Sequence, residues 1–167
     1  MIATTFGTRV SLTSTLTLFR NRVRIGAQLD YKGGFRILDV NTLFSCGLGP
    51  RVNCRGLNDP SASLDEQARS EAVANYFAFG AFVDDADFVR LRELSVSYTL
   101  PRGATRWVGA SGGTITVTGR NLALFTGYRG WDPEGNTLGG TTPDGPVYNF
   151  WQPGQPRSVL LRLNLTF

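Results

Sequence analysis

The closing stretch constrains this chain more than any other. Val159, Leu161, Leu163, Leu165 and Phe167 fall on one side of an extended chain, and Ser158, Arg162, Asn164 and Thr166 on the other. Only Leu160 is out of step. Alternation of this kind means a strand with two unlike faces. At about eleven residues it is twice the usual globular strand of ~5–6, and it matches the ~9–11 that cross a bilayer at a steep tilt.

The same period recurs upstream. Val10, Leu12, Leu16 and Leu18 alternate with Arg9, Ser11, Thr13, Thr15 and Thr17, and after Arg20-Asn21-Arg22 the odd positions Val23 to Tyr31 are apolar or small. These two segments read as a hairpin. A third strand, Phe88 to Leu100, has Leu94, Val96, Tyr98 and Leu100 on one face and is stopped by Pro101. Its parity breaks near Arg92, which fits either a bulge or emergence from the apolar layer. A fourth, Thr114 to about Phe125, changes phase between Gly119 and Leu122, and a bulge at the glycine is the simplest account. The segments 33–87 and 126–156 interrupt the pattern. In the first, Ser63-x-x-Glu66 has capping-box form and predicts a helix over Leu64 to Tyr76; the second is a loop by its Gly, Pro, Thr and Asp content.

Several functions are excluded at this level. Without histidine there is no Ser/His/Asp triad, no His-bearing zinc site and no histidine base. No nucleophile-and-base pair can be assembled, so an enzyme is not expected, and no cofactor is implied. The net charge of +4 comes from basic residues scattered singly, which gives no nucleic-acid face. Charged residues are only 18%, against a usual ~25%. The aromatics Tyr31, Tyr98, Trp107, Tyr128, Trp151 and Phe167 stand where apolar strands stop, as interface girdle residues do.

Two-faced strands suit a secreted β-sandwich, which would bind carbohydrate through loop aromatics, or a transmembrane barrel. A self-contained eight-stranded barrel would need three more strands hidden in the long segments. Strand length and the alternation of long loops with short turns favour a barrel wall. Five strands do not close by themselves, since an open wall leaves backbone unpaired against lipid.

Four ordered blocks carry a resemblance: Ala86-Asp87-Phe88-Val89-Arg90-Leu91-Arg92-Glu93-Leu94-Ser95-Val96-Ser97-Tyr98-Thr99-Leu100-Pro101, then Gly119-Arg120-Asn121-Leu122, then Tyr128-Arg129-Gly130-Trp131-Asp132-Pro133-Glu134, then Pro156-Arg157 to Phe167. In that order they resemble the C-terminal end of SusC/RagA-type TonB-linked outer-membrane proteins. The resemblance covers nearly the whole chain and is weakest around the cysteines. It implies an all-β fold in which residues 1–167 are the last five antiparallel strands of a barrel of about 22, with one short helix in an extracellular loop. The plug domain, the TonB-contacting segment and the signal peptide of the family have no counterpart in this sequence. The implied location is the bacterial outer membrane, and the implied activity is import of large nutrients such as oligosaccharides or peptides. The implied partners are outer-membrane lipid, a SusD-type surface lipoprotein, the TonB complex through the missing N-terminal part, and the barrel-assembly machinery. Phe167 then ends at the periplasmic side, and segments 33–87 and 126–156 are extracellular.

Candidate sites follow. Leu161, Leu163, Leu165 and Phe167 resemble the signal read by the barrel-assembly machinery, or are an ordinary last strand. Cys46 and Cys54 lie in a loop that would face an oxidising exterior, where a disulfide would close a nine-residue loop worth up to ~2.5 kcal/mol; two free thiols are the alternative, and metal lacks further ligands. Tyr128, Trp131, Tyr148 and Trp151 share one loop and either stack on passing substrate or pack that loop. Asp132, Glu134 and Asn136 read as a turn rather than a calcium loop. Arg24, Gln28, Asp30, Glu93, Arg162 and Asn164 are lumen-facing polar residues that tune passage or hydrate the wall.

Overall fold

A computed structural model describes residues 7–48, 53–135 and 148–167; Asn136 lies outside them. The chain divides into two compact units, one made of 9–32, 89–125 and 156–167, the other of 1–8, 33–88 and 126–155.

The first unit is a sheet of five long strands. They are β1 (Thr8–Leu18), β2 (Val23–Gly33), β5 (Phe88–Leu100), β6 (Gly112–Thr126) and β8 (Ser158–Thr166), ordered β1-β2-β5-β6-β8. Strands β6 and β8 are antiparallel, and their register sets Ile115 opposite Leu163 and Val117 opposite Leu161, with Thr114 opposite Asn164 and Thr116 opposite Arg162. Apolar thus meets apolar and polar meets polar, except where Leu160 faces Thr118. A slip of one residue would invert every pair, so the side-chain pattern itself specifies the register. Along the β2–β5 seam the Arg22 carbonyl accepts from the Thr99 N–H, and Asp30 pairs with Arg92, so residue numbers rise on one strand as they fall on the other.

Two irregularities adjust the alternation. On β5, Arg92 reaches Asp30 and its neighbour Glu93 reaches Arg120, so two consecutive side chains share the polar face. That is a β-bulge, and it settles the parity break in favour of the bulge. On β6 the phase change falls at Asn121 (φ 52), not at Gly119 as the sequence suggested. Asparagine is one of the few residues that enter the left-handed region at modest cost. The β1–β2 turn likewise uses left-handed Arg20 and Asn21, closed by Arg22 N–H donating to the Phe19 carbonyl at 3.3 Å. This is the turn sense that matches strand twist.

Among the described residues the apolar face of this sheet packs against no second layer. Val10, Leu12, Leu16, Val96, Val117, Leu161 and Leu163 are all exposed, and Ala110 is the one buried hydrophobic residue described in the unit. A β-sandwich requires those faces to meet in a dry core, and they do not. The sheet is also open in this chain, with β1 and β8 at its two edges.

The other unit holds the water-excluded core. Leu38, Leu43, Cys46, Cys54, Val73 and Phe82 form one cluster, joined by Leu57, Val83 and Tyr148. A three-stranded sheet orders β4 (Val83–Asp85), β3 (Arg36–Asp39) and β7 (Tyr148–Asn149), with β3–β4 antiparallel and β3–β7 parallel. Sequence reading found no strand in these segments. Runs of two to four residues are too short for a period to show. A helix spans Leu64–Tyr76; the Ser63 hydroxyl accepts from the Glu66 N–H, and the helix ends in left-handed Phe77. Its Ser70, Val73 and Ala74 are buried. Gly56 lets the helical turn Arg55–Asn58 lie against the helix, since a Cβ there would sit 2.6 Å from the Glu66 carbonyl oxygen.

Candidate functional site

Two surfaces gather polar side chains, one in each unit. The first is the polar face of the five-stranded sheet. Asp30 and Arg92 pair at 2.6 Å, Glu93 and Arg120 at 3.2 Å, and Ser97 and Thr116 hydroxyls lie 2.9 Å apart. These links tie β2 to β5 and β5 to β6 by opposite charge and hydroxyl pairing, each worth about 0.2–1 kcal/mol across strands. Arg24 and Gln28 share the face of Asp30 through the even parity of β2, Arg24 exposed and Gln28 half-buried. Arg162 and Asn164 lie opposite Thr116 and Thr114 and are exposed. All six predicted polar residues are therefore on one face, but Asp30 and Glu93 are held in ion pairs.

The second surface is a groove in the unit with the core, with a volume of about 270 Å³, lined among others by Asn41, Thr42, Asn53, Arg55, Glu66 and Trp131. Each wall is fixed locally. Cys46 and Cys54 are joined by a disulfide with Cα atoms 4.9 Å apart, and both are buried. Arg55 bonds Asp59 at 3.1 Å and approaches Glu66 at 3.7 Å. The Ser61 hydroxyl and N–H, with Arg55 behind them, hold the Asp59 carboxyl down at about 2. Arg129 pairs with Asp65 in the first turn of the helix, which lowers that carboxyl and raises the guanidinium. Arg69 donates to both Asp84 oxygens at 2.9 and 3.0 Å and lies over the Phe82 ring.

Asp132 organises the aromatic loop. Its side chain is buried and accepts from the Glu134 N–H at 2.9 Å and the Gln155 N–H at 3.0 Å, while its carbonyl accepts from the Gly135 N–H. An aspartate bonding the backbone two residues on is an Asx turn, so the turn reading of the Asp132-to-Glu134 segment holds. Among the described residues no cluster suits a metal.

The four loop aromatics separate into two kinds. Trp131 and Trp151 are each 70% exposed. Tyr128 is buried, its hydroxyl accepts from Asn149 at 3.4 Å, and burial pushes its ionisation above the usual tyrosine range. Tyr148 packs on the core cluster. Neither tyrosine is a substrate platform, and Tyr128 is not a girdle residue either; both were pulled inward because the loop folds onto a core of its own. Sequence reasoning missed Asn41, whose side-chain oxygen accepts from the Trp151 N–H at 2.7 Å across more than a hundred residues. No local pattern announces such a contact. Leu161, Leu163 and Phe167 are exposed and Leu165 is half-buried, on the face their parity assigns.

No family profile matches the chain. TonB-dependent receptor P26 of Formosa agariphila is 34% identical over 105 residues, 60% of this chain and 10% of that receptor. TonB-dependent receptor P3 of the same organism is 42% identical over 55 residues, 33% of this chain and 6% of that one. Among solved structures, the RagAB peptide transporter superposes with a TM-score of 0.58 at 18% identity, covering 96% of this chain and 17% of the other. The RagAB peptide importer in its closed-closed state gives 0.63 at 20% identity, again covering 96% and 17%. The chain thus spans a small part of the proteins it matches. An exposed apolar face, a paired polar face and these likenesses define it as wall of an outer-membrane β-barrel. It is similar in sequence to TonB-dependent receptors and in fold to a stretch of RagAB, which are bacterial outer-membrane proteins.

Proposed function

We propose that these residues are the C-terminal wall of an active importer that draws large nutrients, oligosaccharides or peptides, across the outer membrane. The observation that carries the reading is the in-register separation of an exposed leucine and valine face from an ion-paired polar face. The first suits lipid and the second a watery lumen. In this reading Arg24, Gln28, Asp30, Glu93, Arg162 and Asn164 line the lumen. The helix Leu64–Tyr76 and the disulfide belong to an extracellular loop. The stripe Leu161, Leu163, Leu165 and Phe167 is read by the barrel-assembly machinery. The chain has no chemistry of its own. Energy comes from the TonB complex through a plug-bearing N-terminal part, and a SusD-type lipoprotein is the surface partner.

The test is uptake. Cells with the receptor gene deleted and restored are given labelled oligosaccharides and peptides, with and without collapse of the proton-motive force. Accumulation that needs both receptor and proton-motive force is expected, together with co-purification of a SusD-type lipoprotein. Unchanged accumulation of every labelled nutrient in the deletion strain would refute import.

A further inference from the structure

We propose that the groove beside the Cys46–Cys54 disulfide is a subsite for one or two rings of a neutral oligosaccharide, stacked on Trp131. The proposal rests on the import reading and specifies a place and a ligand within it. Size comes first. About 270 Å³ is below the ~300–1,000 Å³ that encloses a whole drug-sized ligand, which suits a short piece of a longer chain.

The lining chemistry comes second. Asn41, Thr42, Asn53 and Arg55 present amide, hydroxyl and guanidinium groups, and not one aliphatic side chain lines the groove. Sugar hydroxyls both donate and accept, and planar side chains of these types satisfy them in pairs. A peptide would look for apolar pockets or a free strand edge, and this lining supplies no such pocket. Charge is balanced, with Arg55 and Arg129 against Asp39 and Glu66, so nothing selects an ionic ligand.

The aromatics come third. Trp131 lines the groove and leaves 70% of its surface in solvent, although Asp132, the next residue, is buried and anchored by two backbone N–H groups. An indole at a rigid position with a free face is the partner that the C–H face of a pyranose takes. Trp151, equally exposed, donates its backbone N–H to the side-chain oxygen of Asn41 in the same lining. Its indole stands edge-on to Phe150 and does not line the groove, so Trp131 is the stacking surface among the described lining residues.

The experiment is calorimetric titration of the complete receptor, purified in detergent, with maltoheptaose, cellohexaose and laminarihexaose. A galacturonate hexamer and a mixed-sequence dodecapeptide serve as comparisons. At least one neutral glycan is expected to bind, and Trp131→Ala to weaken it about tenfold or more. Asn53→Ala should weaken it by a smaller factor, and Trp107→Ala, an exposed indole in the other unit, should leave it unchanged. Trypsin resistance of segment 33–88 shows that each variant keeps its fold. Binding by none of the neutral glycans, or preference for the acidic hexamer or the peptide, would overturn the proposal. So would neutral-glycan binding that survives both Trp131→Ala and Asn53→Ala. If uptake still requires the receptor in any of those cases, the import reading stands and the subsite alone is refuted.

Discussion

Leu163→Arg places a charge at the centre of the apolar stripe that runs from Val159 to Phe167. Successive stripe residues are two positions apart, so at ~3.3 Å per residue and a tilt near 40° the stripe climbs about 20 Å. Side-chain width added, that is close to the ~25 Å apolar band of an outer-membrane barrel. Leu163 is its midpoint, 57% exposed and opposite Ile115. An arginine at the midplane costs roughly 2–4 kcal/mol and near the interfaces about 0–1. Leu163→Arg should therefore shift the folding equilibrium by about 3 kcal/mol, or roughly 150-fold. Leu161→Arg, about 5 Å nearer one interface, should fall between, and Val159→Arg should lie within 1 kcal/mol of the parent. The assay is equilibrium folding of the receptor into phospholipid vesicles over graded urea. If the face met water, an already exposed leucine would accept arginine within about 0.5 kcal/mol at any depth. A flat profile across the three positions would refute the lipid-facing assignment.

Three further outcomes are expected. Cys46→Ala with Cys54→Ala removes a nine-residue cross-link worth up to about 2.5 kcal/mol, so trypsin should cut segment 33–88 up to roughly 50–100 times faster; an unchanged rate would mean that the bond does not support this unit. Asp132→Ala deletes two hydrogen bonds to a buried carboxylate, about 3–6 kcal/mol together, and amide exchange at Glu134 and Gln155 should accelerate while Asp132→Asn loses less. The Asp59 carboxyl, depressed in the folded chain to about 2, supplies stability that is present above its unfolded value near 3.9 and lost as pH falls through 2; by carbon-detected NMR Ser61→Ala should move its midpoint upward, and an unmoved midpoint would remove the serine from the explanation.

The sheet strands were legible because a period of two repeated over nine to fifteen residues leaves no other regular reading. The bulges were half legible. The breaks near Arg92 and after Gly119 showed in parity, but which residue absorbs the extra length depends on neighbours: Arg120 draws Glu93 to the face of Arg92, and Asn121 turns left-handed where the ladder with β8 has ended at Arg120. The small sheet was not legible, because β3 and β7 pair across about 110 residues through two rungs. Of the four loop aromatics, Trp131 and Trp151 are exposed. Tyr128 is buried and Tyr148 packs on the core, which the sequence does not show, since an aromatic in a loop reads the same whether the loop is bare or has a core beneath it.

The contrast in burial between the units has a consequence for how such a chain tolerates change. In the unit built on Leu38, Val73 and Phe82, ordinary substitution rules hold: interior positions keep volume, and surface positions accept charge. Along β1 and β8 those rules reverse. On the proposed lipid-facing assignment the outermost side chains, such as Leu12, Leu16 and Leu161, must stay apolar while their size drifts freely, because lipid fills whatever shape they leave. The opposite face can exchange one polar residue for another only as far as its partners follow, as Asp30 with Arg92 or Glu93 with Arg120. A substitution table calibrated on water-soluble proteins would therefore rank Leu161→Lys at so exposed a position as harmless, and on a lipid-facing sheet that ranking is inverted, while Leu161→Val stays cheap in both settings.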